Sequence, residues 1–273
     1  MGSTRVVGRL KYLLKPSKIG HAGTLDPLAT GVLPIALGKA TRLIPFVMDG
    51  QKTYEFTVRW GVQTDSDDLA GREIAHNDIR PNKEDILSVL PQFIGTIMQK
   101  PSIYSALKIN GQRAYDLARQ GQDVQIQPRP TTIYDLKLLN HDETESSFVA
   151  CVGKGTYIRT LAHDIAQAVG ALGVVVRLHR TQDGPFNINQ AVSLDADLEN
   201  NILPMENVLG NLQKINVSAD IVQRLVCGQR IKDVSYADLH GVYAIMHENQ
   251  LVALGEIEKN VLHPRSIFVS KED

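Results

Sequence analysis

The segment Gly20-His21-Ala22-Gly23-Thr24-Leu25-Asp26-Pro27-Leu28-Ala29-Thr30-Gly31-Val32-Leu33-Pro34 carries one carboxylate, that of Asp26, in an otherwise apolar and small-residue stretch. Pro27 fixes its own φ and disfavours helical geometry at Asp26, while Gly20, Gly23 and Gly31 allow turns or close approach by another molecule. The segment therefore predicts a rigid loop that can present an acid to a ligand. A lone Asp before Pro is more often an Asx-turn or a helix cap, and for the loop taken alone that interpretation is favoured.

The sequence on either side of this loop predicts a helix and a strand. Apolar residues recur at helical spacing after Ser3 and Thr4, so an amphipathic helix is expected up to Pro16. Lys52–Trp60 alternates apolar and polar residues, which predicts a strand with one buried face. Tyr54 lies on the same face as the core aromatics.

The rest of the chain mixes helices and strands without a regular βαβ rhythm. This favours an α+β architecture with a mixed, mainly antiparallel central sheet flanked by helices, and it gives no indication of a Rossmann fold. The acidic, Asn-rich stretch 187–211 predicts a connection, so we expect a catalytic domain over 1–200 and a small β-rich module over 201–273. The expected helices are 82–93 and 157–169, the strands 124–127, 131–139, 147–152 and 174–179, with a tight turn at 109–112 and a hairpin over 242–257.

Composition excludes several classes of protein. With 273 residues, 43% hydrophobic and 22% charged, the chain can build one large and one small domain. Cys151 and Cys227 have no zinc-type spacing, so reduced thiols of a cytoplasmic protein are expected and no structural metal. No apolar run reaches membrane-spanning length, and the N-terminus does not resemble a signal peptide.

The net charge of −1 is unusual for a protein that binds a polyanion. Residues 1–60 carry nine lysines and arginines against three acids, whereas residues 183–220 carry six acids against Lys214 alone. The local excess near the N-terminus is compatible with RNA contact. Ordinary solvated faces explain it equally well.

Other charged and glycine-rich segments are poor matches to known sites. Asp65-Ser66-Asp67-Asp68 lacks the glycine and glutamate that an EF-hand needs, so a solvated acidic turn is expected there. Gly153-Lys154-Gly155-Thr156 lacks the Walker pattern, which gives no indication of ATP. Serine hydrolase and zinc peptidase motifs do not occur in the sequence.

Taken with five further blocks, the Asp26 loop resembles the TruB family of tRNA pseudouridine synthases. The resemblance runs in the family's order to about Phe186 and continues faintly to the end, where 201–273 resembles the family's PUA-like RNA-binding tail. The blocks are Gly38-Lys39-Ala40-Thr41-Arg42, Lys52-Thr53-Tyr54-Glu55-Phe56, Pro101-Ser102-Ile103-Tyr104-Ser105-Ala106-Leu107-Lys108, Gly155-Thr156-Tyr157-Ile158-Arg159-Thr160-Leu161, and Arg180-Thr181 with Gly184-Pro185-Phe186.

The resemblance implies an enzyme that converts uridine 55 in the T arm of tRNA to pseudouridine, without cofactor and with no obligate protein partner. It assigns the nucleophile to Asp26, acting at uracil C6, at ribose C1′ or through a glycal. Arg159 is implied to pair with Asp26, because a buried carboxylate needs a cation to stay ionised. Tyr54 is implied to stack on the flipped base and is a candidate acceptor of the C5 proton.

Weaker assignments follow from the same resemblance. Tyr157 and Leu178 are implied to line the pocket, although periodicity alone makes both core residues. His21 is implied to stack within the RNA loop or fill the gap left by the base, although it could be a surface hydrogen-bonding group. Lys108 and Arg113 are implied phosphate contacts, and exposed hairpin charges would look the same.

One departure from the family concerns the N-terminus. Family members begin with a strand and a Lys-Pro-x-Gly turn, whereas this sequence starts just after that point. That segment would support the active-site side of the sheet, so we expect a chain extended upstream to have a higher Tm.

Two alternative functions remain open at this level. One is an RNA-binding or RNA-folding factor that keeps the scaffold without turnover. The other is a nucleoside or glycoside hydrolase, which needs a second acid near Asp26 that no spacing in the sequence supplies.

Overall fold

A computed structural model describes residues 2–101, 108–109, 112–113, 126–210 and 212–269, and at 108–109 and 112–113 it describes the backbone only. The helices in this part of the chain are α1 (Ser3–Leu14), α2 (Ile44–Asp49), α3 (Lys83–Val89), α4 (Ile158–Ala168) and α5 (Ala219–Val226). Short 3-10 helices cover Gly38–Leu43, Leu90–Phe93, Ile188–Gln190, Glu199–Asn201, Met205–Val208 and Val234–Tyr236.

The strands of the same residues are numbered in chain order. They are β1 (Ile19–His21), β2 (Thr30–Gly31), β3 (Ile35–Leu37), β4 (Lys52–Trp60), β5 (Val62–Thr64), β6 (Glu73–His76), β7 (Gly95–Gln99), β8 (Lys108–Ile109), β9 (Gln112–Arg113), β10 (Arg129–His141), β11 (Glu145–Val152), β12 (Gly173–Asp183), β13 (Phe186–Asn187), β14 (Lys214–Asn216), β15 (Ile231–Lys232), β16 (Gly241–His247), β17 (Gln250–Glu258) and β18 (Val261–Ile267).

The chain divides into two compact units that are interleaved in sequence. The first unit comprises Met1–Arg9, His21–Pro34 and Met48–Ser193. The second comprises Leu10–Gly20, Ile35–Val47 and Leu194–Asp273.

The first unit is built on a sheet in the order β13-β12-β4-β11-β10-β7, in which neighbouring strands run antiparallel. The two-residue strand β2 adds to β12 in parallel. Helix α4 packs against β12 and β4 and buries Leu161 and Ile165 in the core of this unit. Phe56 and Phe148 stack there with ring centroids 5.2 Å apart, so β4 and β11 are joined by side chains as well as by the ladder.

The second unit contains a sheet in the order β14-β16-β17-β18-β15. Only β14 runs parallel to its neighbour among these described pairs. Helix α5 packs on β15 and β18, and its Leu225 is fully buried among apolar side chains of the sheet.

Most predicted elements are confirmed, and β4 has the limits read from its alternating pattern. The predicted helix over 157–169 is α4, with Tyr157 as N-cap and Val169 as C-cap. The predicted hairpin is formed by β16 and β17. The predicted helix 82–93 begins after the cap Asn82 and becomes a 3-10 helix at its end, where Pro91 lies.

The predicted ends of several strands were wrong. The strands predicted at 131–139, 147–152 and 174–179 extend further, because ladder pairing continues through polar residues at their ends. Ile126 and Gln127 lie in no strand, and Pro128, which has no N–H to donate, follows them. Residues 124–125 and the turn residues 110–111 lie outside the described residues, although Ile109 pairs with Gln112 beside that turn.

Candidate active site

The Asp26 loop is anchored beside Asp26 itself. The preceding residue is held from α1, because the Leu25 N–H donates to Ser3 Oγ at 3.0 Å. Asp26 begins a turn in which the Ala29 N–H donates to the Asp26 carbonyl at 2.9 Å. Pro27 suits the second position of such a turn. The turn leaves the Asp26 side chain 35% exposed, so its carboxylate is partly desolvated and still accessible.

Arg159, in the first turn of α4, is the counterion of Asp26. Its Nε donates to Asp26 Oδ2 at 2.9 Å, and the Arg159 side chain is only 4% exposed. Its Nη1 donates to the Ser66 carbonyl at 2.9 Å and lies 3.3 Å from Asp68 Oδ2. The expected ion pair is therefore present, and a second acid shares the same guanidinium.

The turn containing Asp68 was wrongly expected to be solvated. Ser66 and Asp68 are both buried, and Asp68 Oδ1 accepts bonds from Ser66 Oγ at 2.7 Å and from the Ala70 N–H at 2.9 Å. A bridge between Asp68 and Val175 of β12 brings the turn onto the sheet. Because the Asp68 oxygens are already engaged, this second acid orients Arg159 and does not form the exposed carboxylate pair of a glycosidase.

A second contact between this turn and α4 involves His163. Its Nδ1 lies 3.3 Å from Asp67 Oδ1. The hydrogen bond to Asp67 raises the pKa of His163, against the opposing effect of burial. One helical turn separates His163 from Arg159, so both side chains tie the acidic turn to the same helix.

Tyr54 on β4 packs against the core of the first unit, close enough to Asp26 for the Asp26 charge to act on it. Burial raises the pKa of its phenol, while the charge of Arg180 and a hydrogen bond with the Arg180 side chain lower it. The charges of Asp183 and Asp26 act in the raising direction. Tyr54 is therefore a neutral phenol at neutral pH, on which one cation and two carboxylates act electrostatically.

Three further charged side chains are buried beside Tyr54. Arg180 is 1% exposed, Asp183 is completely buried and Lys52 is 7% exposed. Asp183 lies 3.2 Å from both Lys52 Nζ and Arg180 Nη2. Lys52 and Asp183 are therefore not part of the basic and acidic surface excesses to which their sequence positions assigned them.

The remaining predicted site residues are placed as follows. Tyr157 is half-buried, with its backbone N–H and carbonyl both bound by the buried amide of Gln99, at 3.0 and 3.3 Å. Leu178 is a core residue opposite Phe56. His21 is partly buried, and its Nδ1 has no hydrogen-bond partner among the described residues. The side chains of Lys108 and Arg113 lie outside the described part of the structure.

The described residues give no support for a metal centre. They contain no cluster of three or more His, Cys, Asp or Glu side chains that could hold a metal ion. Cys151 and Cys227 are free thiols. No described helix combines the length and the apolar character needed to cross a membrane.

Sequence reasoning missed Asp68, Arg180 and Asp183 as parts of this site. Arg180 appeared only within a resembling block, and Asp183 only as one of several acids. The available signal for Arg180 and Asp183 was that both lie in or beside the apolar segment that forms β12, where charges are unusual unless they are paired, whereas Asp68 had no such signal.

Family models match most of the chain. The model described as TruB family pseudouridylate synthase (N terminal domain) matches residues 11–158, and the tRNA pseudouridylate synthase B C-terminal domain matches residues 159–210. Proteins named tRNA pseudouridine synthase B are 42% identical in Bradyrhizobium diazoefficiens, over 98% of this chain and 82% of that protein, and 41% identical in Rickettsia bellii, over 98% and 94%.

Solved structures agree with this assignment. A Cbf5-Nop10-Gar1 complex contains a chain with a TM-score of 0.76 and 26% identity, covering 100% of this chain and 83% of that one. An archaeal box H/ACA sRNP Nop10-Cbf5 complex gives a TM-score of 0.73 at 24% identity, with coverages of 100% and 84%, and supports the fold alone. The chain belongs to the TruB family of tRNA pseudouridine synthases.

Proposed function

We propose that the chain isomerises uridine 55 in the T arm of tRNA and that Asp26 is the nucleophile. The supporting observation is the pairing of a partly exposed Asp26 carboxylate with the buried Arg159 guanidinium at 2.9 Å. A charge held in this way in a rigid loop stays reactive without being fully solvated.

The reaction breaks the bond between uracil N1 and ribose C1′ and forms a bond between C5 and C1′. The C5 proton leaves and N1 gains a proton, so the conversion involves no net oxidation or reduction. Asp26 can add to C6, displace the base at C1′ or assist a glycal intermediate. All three routes use an ionised carboxylate, which Arg159 favours electrostatically.

The proposed target base is part of a folded arm, so it must leave its stack before Asp26 can reach it. Tyr54 is the proposed platform for the extruded uracil, since it lies close enough to Asp26 for the Asp26 charge to act on its phenol. The minor ionised form of the Tyr54 phenol is the proposed acceptor of the C5 proton. The Arg180 cation favours that ionised form against burial.

The pocket residues Tyr157, Leu178 and His21 are proposed to shape the space around the base. Residues 201–273 are proposed to bind RNA, with catalysis in 1–200. Lys108 and Arg113 are proposed as phosphate contacts. Neutral substitutions at these positions would weaken binding to RNAs of any sequence and would make the affinity less dependent on salt.

A T-arm stem-loop with 5-tritiated uridine only at position 55 tests this function. We expect the wild-type protein to release tritium and to leave pseudouridine at that position. Asp26→Asn should bind the RNA with a Kd within about threefold of wild type and release no tritium, because the amide is not nucleophilic.

Asp49→Asn is the matched control, because Asp49 is exposed and pairs only peripherally with Lys154 at 2.8 Å. It should release tritium at the wild-type rate. RNA binding by wild type without tritium release would instead support a binding factor, and free uracil would support a hydrolase. Release by Asp26→Asn near the wild-type rate would refute the role of Asp26.

A further inference from the structure

Arg180 contacts both the Asp26 loop and Tyr54. Its Nε donates to the Val32 carbonyl at 2.8 Å and its Nη2 to the Gly23 carbonyl at 3.1 Å, so one side chain holds both ends of the Asp26 loop. It also lies opposite Tyr54 in the ladder between β12 and β4, and its charge acts on the Tyr54 phenol. Arg180 therefore holds the loop while it lies across the ladder from the phenol-bearing residue.

The loop lies so close to Arg180 that Gly31 has no room for a side chain and Gly23 has little. A Cβ on Gly31 would lie 2.2 Å from the Arg180 carbonyl oxygen, and a Cβ on Gly23 would lie 3.2 Å from Arg180 Nη1. Both glycines also have positive φ, +102° and +84°. The backbone of Arg180 contributes as well, because its carbonyl accepts the Val32 N–H at 2.9 Å.

A β-bulge in β12 gives Arg180 its charged neighbour. Side chains three residues apart on a regular strand point to opposite faces of the sheet. In the ladder with β4, Arg180 pairs with Tyr54 and Gln182 with Thr53, which leaves Thr181 as the extra residue. The bulge returns Asp183 to the side of Arg180, where their charged atoms lie 3.2 Å apart.

Asp183 is in turn opposite Lys52 in the same ladder, and their charges are 3.2 Å apart. Lys52 Nζ also donates to the Met48 and Gly50 carbonyls, each at 2.7 Å. The buried carboxylate of Asp183 is thus shared by two cations. Because Asp183 also faces Lys52, it compensates only part of the Arg180 charge, and the Arg180 charge acts on the Tyr54 phenol.

We propose that Arg180 is a positioning residue of the reaction, which locks the Asp26 loop to Tyr54, and that Asp183 limits how much of its positive charge the phenol experiences. The kinetic part of this inference rests on the proposed role of Tyr54. The groups that act on Tyr54 are Arg180, Asp183 and Asp26. Removing Arg180 and removing the charge of Asp183 should change the phenol in opposite directions.

Titration of Tyr54 in the free protein tests this directly. The protein is labelled with 3-fluorotyrosine, which lowers phenol pKa values into an accessible range, and the Tyr54 resonance is assigned by ¹⁹F NMR with Tyr54→Phe. We expect Arg180→Gln to raise the Tyr54 pKa by about one unit or more and Asp183→Asn to lower it. Arg59→Gln is the control, because Arg59 lies on the same strand as Tyr54 and pairs with Glu145 on the exposed side. Arg59→Gln should leave the Tyr54 pKa unchanged.

Kinetics supply a second readout. Arg180→Gln should slow single-turnover tritium release by about tenfold or more with the RNA Kd within about threefold, and Arg180→Lys should recover part of the rate. A purely structural role predicts no opposite movement of the Tyr54 titration in the two variants. Equal shifts, or no shift, would overturn the proposal.

If Arg180→Gln does not fold, the Tyr54 titration in Asp183→Asn is the test. A lower Tyr54 pKa in that variant supports the proposal, and an unchanged or higher one overturns it. The NMR titration needs no turnover. Opposite shifts together with full activity of Tyr54→Phe would therefore remove Tyr54 from the proposed mechanism while supporting the Arg180 contact network.

Discussion

The two units bury different kinds of side chain. Every buried polar or charged side chain among the described residues belongs to the first unit, including Lys52, Asp68, Arg159, Arg180 and Asp183. The described core of the second unit is apolar, and its ion pairs, such as that between Arg265 and Glu256, lie at the surface.

This difference indicates that apolar burial is enough to form a sheet, and that the buried charges of the first unit have another purpose. The second unit shows that the chain can close a sheet with apolar contacts. Burying charges costs free energy that ion pairing only partly recovers, so their concentration around Asp26 calls for another reason. The proposed role of Asp26, as a reacting carboxylate held in a partly desolvated site, would supply that reason.

Truncation in the second unit should show the largest effect on stability. Leu225→Ala removes a fully buried side chain and should lower the free energy of unfolding by about 2–5 kcal/mol, measured by denaturant titration. Val234→Ala, at a side chain that is 85% exposed, should change it by less than about 0.5 kcal/mol. Under folding conditions Leu225→Ala should release tritium within about twofold of wild type, and a tenfold loss would break the comparison.

Neutralising a buried charge in the first unit should reduce tritium release strongly, in contrast to the truncation in the second unit, which should mainly reduce stability. Asp68→Asn keeps an oxygen for Ser66 and Ala70 but removes the charge that holds Arg159 Nη1 at 3.3 Å. We expect single-turnover tritium release to fall by about 10–100-fold as Arg159 loses its orientation. Asp65→Asn, in the same turn, should stay near the wild-type rate. Equal losses in both variants would show that the turn has only a structural role.

The smallest expected effect is the pH dependence of the pair between His163 and Asp67. The folded-state pKa of His163 is raised above its ordinary value of 6.5, so the stabilisation is fully present below that pH and is lost as the pH rises through the raised pKa. His163→Gln should cost about 0.5–1 kcal/mol at pH 6 and less at pH 9. A cost of His163→Gln that stays constant between pH 6 and pH 9 would contradict the pairing.

The sequence predicts the framework of this site better than its buried charges. The Asp26 loop, the strand of Tyr54 and the helix of Arg159 follow from proline and glycine placement, alternation and helical spacing. Because Asp26 and Arg159 are 133 residues apart in sequence, only the family resemblance predicted that they would pair. Gly23 and Gly31 were expected to allow turns or close approach by another molecule, and the group that approaches both of them is Arg180 of the same chain.

Two physical features explain what the sequence did not predict. The burial of Asp68 depends on a bridge to Val175, which joins segments distant in sequence and has no local signal. The pairing of Arg180 with Asp183 depends on a β-bulge, whereas the period-two rule places these residues on opposite faces. A local pattern cannot reveal a charge pair that exists only after strands have paired.

The central claim is that the buried Arg159 maintains Asp26 as the reacting carboxylate. The most direct test is single-turnover tritium release by Arg159→Gln from uridine 55 of the T-arm stem-loop, with the RNA Kd measured on the same preparation. We predict a rate at least about 100-fold below wild type and a Kd within about threefold. A rate within tenfold of wild type would contradict the account.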